Sequence, residues 1–388
     1  MRITKILERT IPLATNISNS ARSLQDIRTT IVAVVSDVIR GRKPLTGFAF
    51  SSIGRASHSA PIRERIAPRV LAVPPESVLN AAATNFDPDK LHAVAMRNEK
   101  LGGDAERSAA IGTVNIAVWD LVAKIEEKPL HQVLAERFSG GDVQDRVFCY
   151  VGGGWYRPGQ TTQDLQDEMR GHLAAGYSMV KMKVGGLALA EDCKRIEAVL
   201  KVIGDSKSLA VDANCIFDRQ QAIDCGKAIA PFGLRWYEEP CHPQDYEIYK
   251  AVAEAYAPPL ASCENLFSPR ELENFLLYSG FRSDRDIIQI DPPLAYGISG
   301  YLRVIEIAQK HGFTRKSLFP HGGNLMGLHI AAGFGLGGCE SYPGVFGAAG
   351  GFNDEVSLQN GYAILPRSPG LGFEMKPELF PMMREMIS

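Results

Sequence analysis

Three acidic residues stand at equal intervals in this chain: Asp212, Glu238 and Glu264, each 26 residues after the one before, each at the end of a short apolar stretch. Carboxylates that converge on one point offer hard oxygen ligands, and a cation that suits them while keeping waters or substrate oxygens is Mg2+. Upstream, Lys181-Met182-Lys183 places two lysines on one face of an extended segment, because side chains two apart on a strand point the same way. Two ammonium groups that close disfavour each other's ionisation, and a nearby metal cation adds to the effect. A lowered lysine pKa and a general-base role are therefore expected. Downstream, Asp291 and His321 also end apolar stretches. A carboxylate beside an imidazole fixes its tautomer and raises its pKa, so this pair can deliver or accept a proton opposite the lysines. Glu239 should point away from Glu238 by strand alternation and is assigned a structural duty.

These residues have to be held by strands. From about residue 147 the chain repeats a short apolar strand, a polar end and an amphipathic helix, with candidate strands at 147–151, 179–184, 209–212, 235–238, 260–264, 286–291, 317–321 and near Cys339. The spacing of their ends is that of one strand–helix unit, and eight such units predict a (β/α) barrel. In that fold the C-terminal strand ends share one mouth, so the acids, lysines and histidine would meet there. Ser268-Pro269-Arg270-Glu271 predicts a helix start and Gly280 its stop, and Gly204 ends a helix that begins near Glu191. Residues 1 to about 140 follow another rhythm, with strands near 3–10 and 29–38 and helices between 76 and 127. This predicts a separate α+β domain, to which the tail from about Gly361 returns; the barrel then spans 141–360.

Composition excludes several function classes. The 388 residues carry 42 basic and 44 acidic side chains, and 45% are hydrophobic, so the chain is neither disordered nor a charge-driven nucleic-acid binder. No Cys-x-x-Cys occurs among the seven cysteines, which argues against a disulfide framework and for a reducing cytoplasm. No uninterrupted apolar run approaches the roughly 20 residues of a membrane span. Gly333-Phe334-Gly335-Leu336-Gly337-Gly338 matches the dinucleotide fingerprint formally, but Cys339-Glu340-Ser341 follows where a helix should begin.

At these residues the sequence resembles the enolase superfamily and, within it, the mandelate racemase subgroup. The likeness runs from the α+β region through Asn115-Ile116-Ala117-Val118-Trp119-Asp120-Leu121 to Pro369-Gly370-Leu371-Gly372. It implies a modified TIM barrel, (β/α)7β, capped by an N-terminal α+β domain that the C-terminal tail completes. It further implies Mg2+ on Asp212, Glu238 and Glu264, a base at Lys183 beside Lys181, a His321–Asp291 dyad, and Glu340 as a partner of the substrate carboxylate. Within the subgroup, the chain length, Lys-Met-Lys and Pro320-His321-Gly322-Gly323-Asn324 resemble the D-tartrate dehydratases. The activity implied is dehydration of an acid sugar. Other hydroxy-diacids, aldonic or aldaric acids, a racemase or epimerase, and a non-catalytic binding relative remain alternatives. Lid loops carrying Asn16, Asn19 and Arg22, then Lys43 and Arg55, then Lys100, suit a small hydroxy-diacid. Asn19, Arg55 and Lys100, with Asn214 and Glu340 at the strand ends, are the candidate substrate contacts. A homo-oligomer is implied; no nucleic-acid or membrane partner is expected.

Overall fold

The computed structural model describes residues 1–13, 15–52 and 58–388. The chain opens with an antiparallel sheet of β1 (Ile3–Pro12), β2 (Arg28–Arg40) and β3 (Lys43–Phe50). The third strand was not anticipated from sequence. Its signal is the tight turn that feeds it, where Gly41 and Arg42 both take positive φ, as a two-residue hairpin turn requires. β2 is rich in β-branched residues, and its run Thr29 to Ser36 is wholly buried.

One face of this sheet lies on the helix Glu106–Ile125. Gly47 makes the contact possible: a Cβ there would sit 1.9 Å from the Ala117 carbonyl oxygen. On the opposite side Gly112 lets the helix meet the barrel, since its Cβ would fall 2.1 Å from the Pro293 oxygen. The helix has a mean hydropathy of 1.3 over a window that is 94% buried, so it is apolar on all sides because protein surrounds it. By length and composition alone it would pass as a membrane span, although Arg107, Asn115 and Asp120 interrupt its apolar run.

The barrel strands are β4 (Arg146–Gly153), β5 (Val180–Lys183), β6 (Leu209–Asp212), β7 (Tyr237–Glu238), β8 (Leu260–Ser262), β9 (Ile287–Ile288) and β10 (Cys339–Ser341). β4 to β9 pair in chain order and in parallel, and β10 pairs with β4. The stave expected at 317–321 is reduced to a single bridge between Leu318 and Ile288. Phe319 N–H still donates to Ile288 O, and Gly337 N–H to Leu318 O. Pro320 has no N–H, so the ladder stops there. With this stave counted, seven helices separate eight staves. The helices Leu189–Ile203 and Pro269–Tyr278 end where predicted, against Gly204 and Gly280 in positive φ. The fingerprint-like glycines lie after the helix Leu325–Gly333 and lead into β10, the reverse of a dinucleotide site.

The tail divides its contacts. A hairpin of β11 (Ser357–Gln359) and β12 (Tyr362–Ile364) stays on the barrel, β12 pairing with β4, so the return to the first domain begins later than Gly361. Beyond it, Phe373 and Phe380 pack on Phe50 and Phe48. Asp120 ties the three parts together. Its carboxylate accepts from Phe48 N at 2.7 Å and Leu371 N at 2.6 Å, and pairs with Lys124 at 2.7 Å. Removing one partner of a buried pair costs about 3–5 kcal/mol. Asp120→Ala should lower stability by that amount, measured by urea denaturation; a loss under about 1 kcal/mol would remove the network from this role.

Candidate active site and metal centre

Parallel register puts the chemistry at one level. Lys183 lies opposite Asp212, and Asp212 opposite Glu238. Glu264 is two residues past the end of β8 and is reached through Cys263 at φ +95°. Asn214, Cys215 and Glu239 also adopt positive φ just past β6 and β7. Non-glycine residues hold that conformation only where surrounding structure imposes it, and here each lies where the chain turns away from an acid.

Asp212, Glu238 and Glu264 each present an oxygen within 4.8 Å of the others. Mg2+ holds oxygens at about 2.1 Å and so spans up to about 4.2 Å across its shell, a few tenths of an ångström tighter than this arrangement. The donor set fits, and so does its electrostatics. Burial pushes the Glu238 carboxyl up to about 8; Lys181 opposes this, but Asp212, Glu264 and Glu340 add to it. Asp212 goes the other way: burial alone would raise it, and Lys183 and Lys181 hold it well below the usual carboxylate range. Glu239 sits beside the cluster, buried, and accepts from Asn265 Nδ2 at 2.9 Å. Burial, Glu264 and Asp212 raise its carboxyl strongly.

Glu238 is also held from below. Its Oε2 accepts from the Trp236 indole at 2.8 Å and from Gln289 Nε2 at 2.8 Å. Trp236, Tyr150 and Phe319 form an aromatic layer under the site, with Trp236 5.2 Å from Tyr150 and 5.7 Å from Phe319. Neither Trp236 nor Gln289 was singled out from sequence, although both lie two residues before a named acid and so share its strand face.

Lys181 is fully buried and contacts Glu238, Glu340 at 2.7 Å and Asp212 at 3.4 Å. Its pKa is not lowered as expected. Burial opposes its charge, yet Glu238 and Glu340 hold the ammonium well above the ordinary lysine range. Three carboxylates lie in direct contact with it, and their pull outweighs the cost of burial. Lys183 pairs with Asp212 at 2.5 Å and lies 4.5 Å from the centre of the Trp155 ring.

Facing it, His321 Nδ1 is 2.9 Å from Asp291 Oδ2, and its Nε2 is 3.3 Å from Glu264. Burial would lower the imidazole pKa, but Glu264, Asp291 and Glu340 raise it to about 10. Ser52, which follows β3, donates to the same Asp291 oxygen. Glu340 accepts from Tyr342 Oη at 2.7 Å and Gly322 N at 3.2 Å. Burial raises its carboxyl, yet Lys181 and His321 bring it below the ordinary value, so it is a carboxylate and not the protonated donor that an ene-diolate would call for.

Lys183, His321 and Glu264 line one cavity of about 50 Å3 together with Asn19, Arg22, Asn214, Asn265, Trp155, Tyr342 and Phe346. Of the lid-loop residues, Asn19 and Arg22 reach the cavity, and Asn19 Oδ1 also caps the turn at Ala21 and Arg22. Asn214 reaches it too, but donates to Asp212 from both its backbone and side-chain amides. Lys100 is exposed and is not part of the lining. Arg55 lies outside the described residues. Lys43 begins β3, so about 23 Å of strand separates it from Phe50, at the end that leads to Ser52. The three aromatic walls, Trp155, Tyr342 and Phe346, carry no motif in the sequence.

A model of the family described as enolase C-terminal domain-like matches residues 164–379. The L-talarate/galactarate dehydratase of Salmonella typhimurium is 30% identical over 373 residues, covering 95% of this chain and 87% of that protein. The arabinonate dehydratase of Saccharolobus solfataricus is 26% identical over 298 residues, 75% of this chain and 76% of its own. The crystal structure of L-talarate dehydratase from Polaromonas sp. JS666, complexed with Mg and L-glucarate, superposes with a TM-score of 0.76 at 27% identity over 97% of each chain.

Outer partners of metal ligands are worth about 10–100-fold in affinity. Gln289→Leu should weaken Mg2+ binding by that factor in isothermal titration calorimetry, and Glu264→Gln should weaken it at least as much. Unchanged affinity in both would remove these residues from the metal centre.

Proposed function

This chain belongs to the enolase superfamily, and from that membership and the geometry of its site we propose that it is a Mg2+-dependent acid-sugar dehydratase acting on D-tartrate to give oxaloacetate and water. The observation that carries the reading is a base and an acid, Lys183 and His321, facing one cavity with three carboxylates beside them. Mg2+ on Asp212, Glu238 and Glu264 would supply Lewis-acid polarisation of the substrate carboxylate.

The chain's own residues do the rest. Lys183 takes the proton from the carbon next to that carboxylate, and Lys181 offsets the negative charge that builds on the carboxylate oxygens. Glu340, as a carboxylate, keeps Lys181 charged and in place. His321 then gives its Nε2 proton to the β-hydroxyl. The C–O bond breaks, its electron pair leaves with the oxygen as water, and the carbanion pair becomes the C=C bond of an enol. The enol takes up a proton at carbon, gives up its O–H proton, and becomes the keto acid. His321 is suited to this step because Asp291 holds Nδ1 and leaves Nε2 facing Glu264 and the cavity.

D-tartrate is supported by the small volume between the two proton-handling groups and by the Arg22 guanidinium in the cavity wall, a cation suited to the far carboxylate. A six-carbon aldarate is the second reading. It is favoured by a polar chamber of about 400 Å3 that adjoins the cavity, shares Arg22 and Asn265 with it, and adds His242 and Gln244.

Incubation with D-tartrate, galactarate, L-talarate and D-arabinonate, with the 2-keto acid trapped by semicarbazide, separates the readings. Keto-acid release from D-tartrate is expected; release from aldarates alone selects the second. A product of unchanged mass would mean racemisation. Lys183→Ala should lower kcat about 10²–10⁴-fold and stop α-proton exchange in D2O. His321→Asn should block elimination and leave exchange; loss of both together would contradict the division of roles.

A further inference from the structure

The two proton-handling groups are held by different parts of the molecule. Lys183 is fixed by Asp212 and Trp155, both on the barrel. The dyad is not held by the barrel alone, because Asp291 Oδ2 accepts from His321 Nδ1 and from Ser52 Oγ at once. Asp291 Oδ1 makes no hydrogen bond among the described residues. A carboxylate turns about a broad, two-fold torsion. With one oxygen unbonded, what keeps the other aimed at the imidazole is the pair of donors on it, and Ser52 is the one that does not itself move a proton.

Ser52 is well placed to serve. It is fully buried, and its predecessor is clamped to β2. Ser51 N donates to Thr30 O at 2.8 Å, Thr30 N to Ser51 Oγ at 3.0 Å, and Thr29 Oγ1 to Ser51 O at 2.6 Å. The sheet of the capping domain thereby reaches into the barrel mouth and sets the far side of the dyad.

We infer that Ser52 is a positioning residue for the proton delivered by His321, so that the acid half of the site is set by the capping sheet while the base half stands on the barrel. The inference rests on the dehydratase reading above. Its consequence is a separation of steps: loss of the Ser52 hydroxyl should slow elimination while proton abstraction continues.

The test uses full-length Ser52→Ala with Mg2+, comparing keto-acid formation with α-proton exchange in D2O. By analogy with other outer hydrogen bonds that orient a reacting ligand, kcat for elimination should fall about 10–100-fold. KM and the exchange rate should stay within about threefold of wild type on the same scale. Equal loss of exchange and elimination, or no loss of either, overturns the inference. Should Ser52→Ala not fold, Ser52→Cys, of similar size but a weaker donor, carries the same comparison. If the wild-type protein turns over no acid sugar, the dehydratase reading has failed and a second readout decides. That readout is the downfield proton resonance of His321 Nδ1–H, assigned by its loss in His321→Asn. Its shift or disappearance in Ser52→Ala supports the positioning role, and an unchanged line overturns it.

Discussion

A carboxylate taken out of water costs several kcal/mol unless something positive or several donors stand in for the lost solvent. At the mouth of this barrel the chain buries Asp212, Glu238, Glu239, Asp291 and Glu340 outright and Glu264 in part. Almost every polar contact nearby answers that cost. Lys181 and Lys183 lie among the acids, Trp236 and Gln289 donate from beneath, Asn214 and Asn265 from the side, and Tyr342, Gly322 and Ser52 from the dyad side. The donors do not balance the charge at Glu238 and Glu239, whose carboxyl groups are both pushed up. A dication suits this remaining imbalance, and the chemistry assigned to the site draws on the same excess of negative charge.

Holding such a cluster requires a frame stiff enough to resist its repulsion. Parallel pairing supplies it, because a register that sets Lys183, Asp212 and Glu238 side by side cannot shift without turning every inward residue outward. The aromatic layer of Tyr150, Trp236 and Phe319 closes the barrel floor and keeps water from below. Above, the capping sheet is tied to the barrel through the Glu106–Ile125 helix and the Asp120 network. One fold element thus positions both the loop carrying Asn19 and Arg22 and the Ser52 hydroxyl.

What could be read from residue order was what repeats with the strand–helix period. The equal spacing of Asp212, Glu238 and Glu264 and the two-residue spacing of Lys181 and Lys183 are one-dimensional facts, and a barrel converts them directly into proximity. The stave at Leu318 was legible as an apolar stretch, while its reduction to one bridge follows from Pro320 and the turn after it. The direction at Lys181 was misjudged because its like-charged neighbour is visible in sequence, whereas the acids that touch it come from other strands. The charge state of Glu340 was hidden for the same reason: its partner Lys181 is distant along the chain and 2.7 Å away in space.

The sequence by itself determined the eight-stave plan, the acids and lysines at its rim and the Asp291–His321 pair, because each depends on spacing along one strand or one period. Only the tertiary structure decided which lid residues face the cavity, which side chains stand under Glu238, and that Ser52 touches Asp291. Ser52 and Asp291 are 239 residues apart in the chain, a separation that carries no period, and Glu238 and Gln289 are 51 apart, on strands two periods apart whose facing side chains spacing alone does not single out. Their meeting is a product of packing, where the strand ends of one domain and the loops of another compete for the same few oxygens.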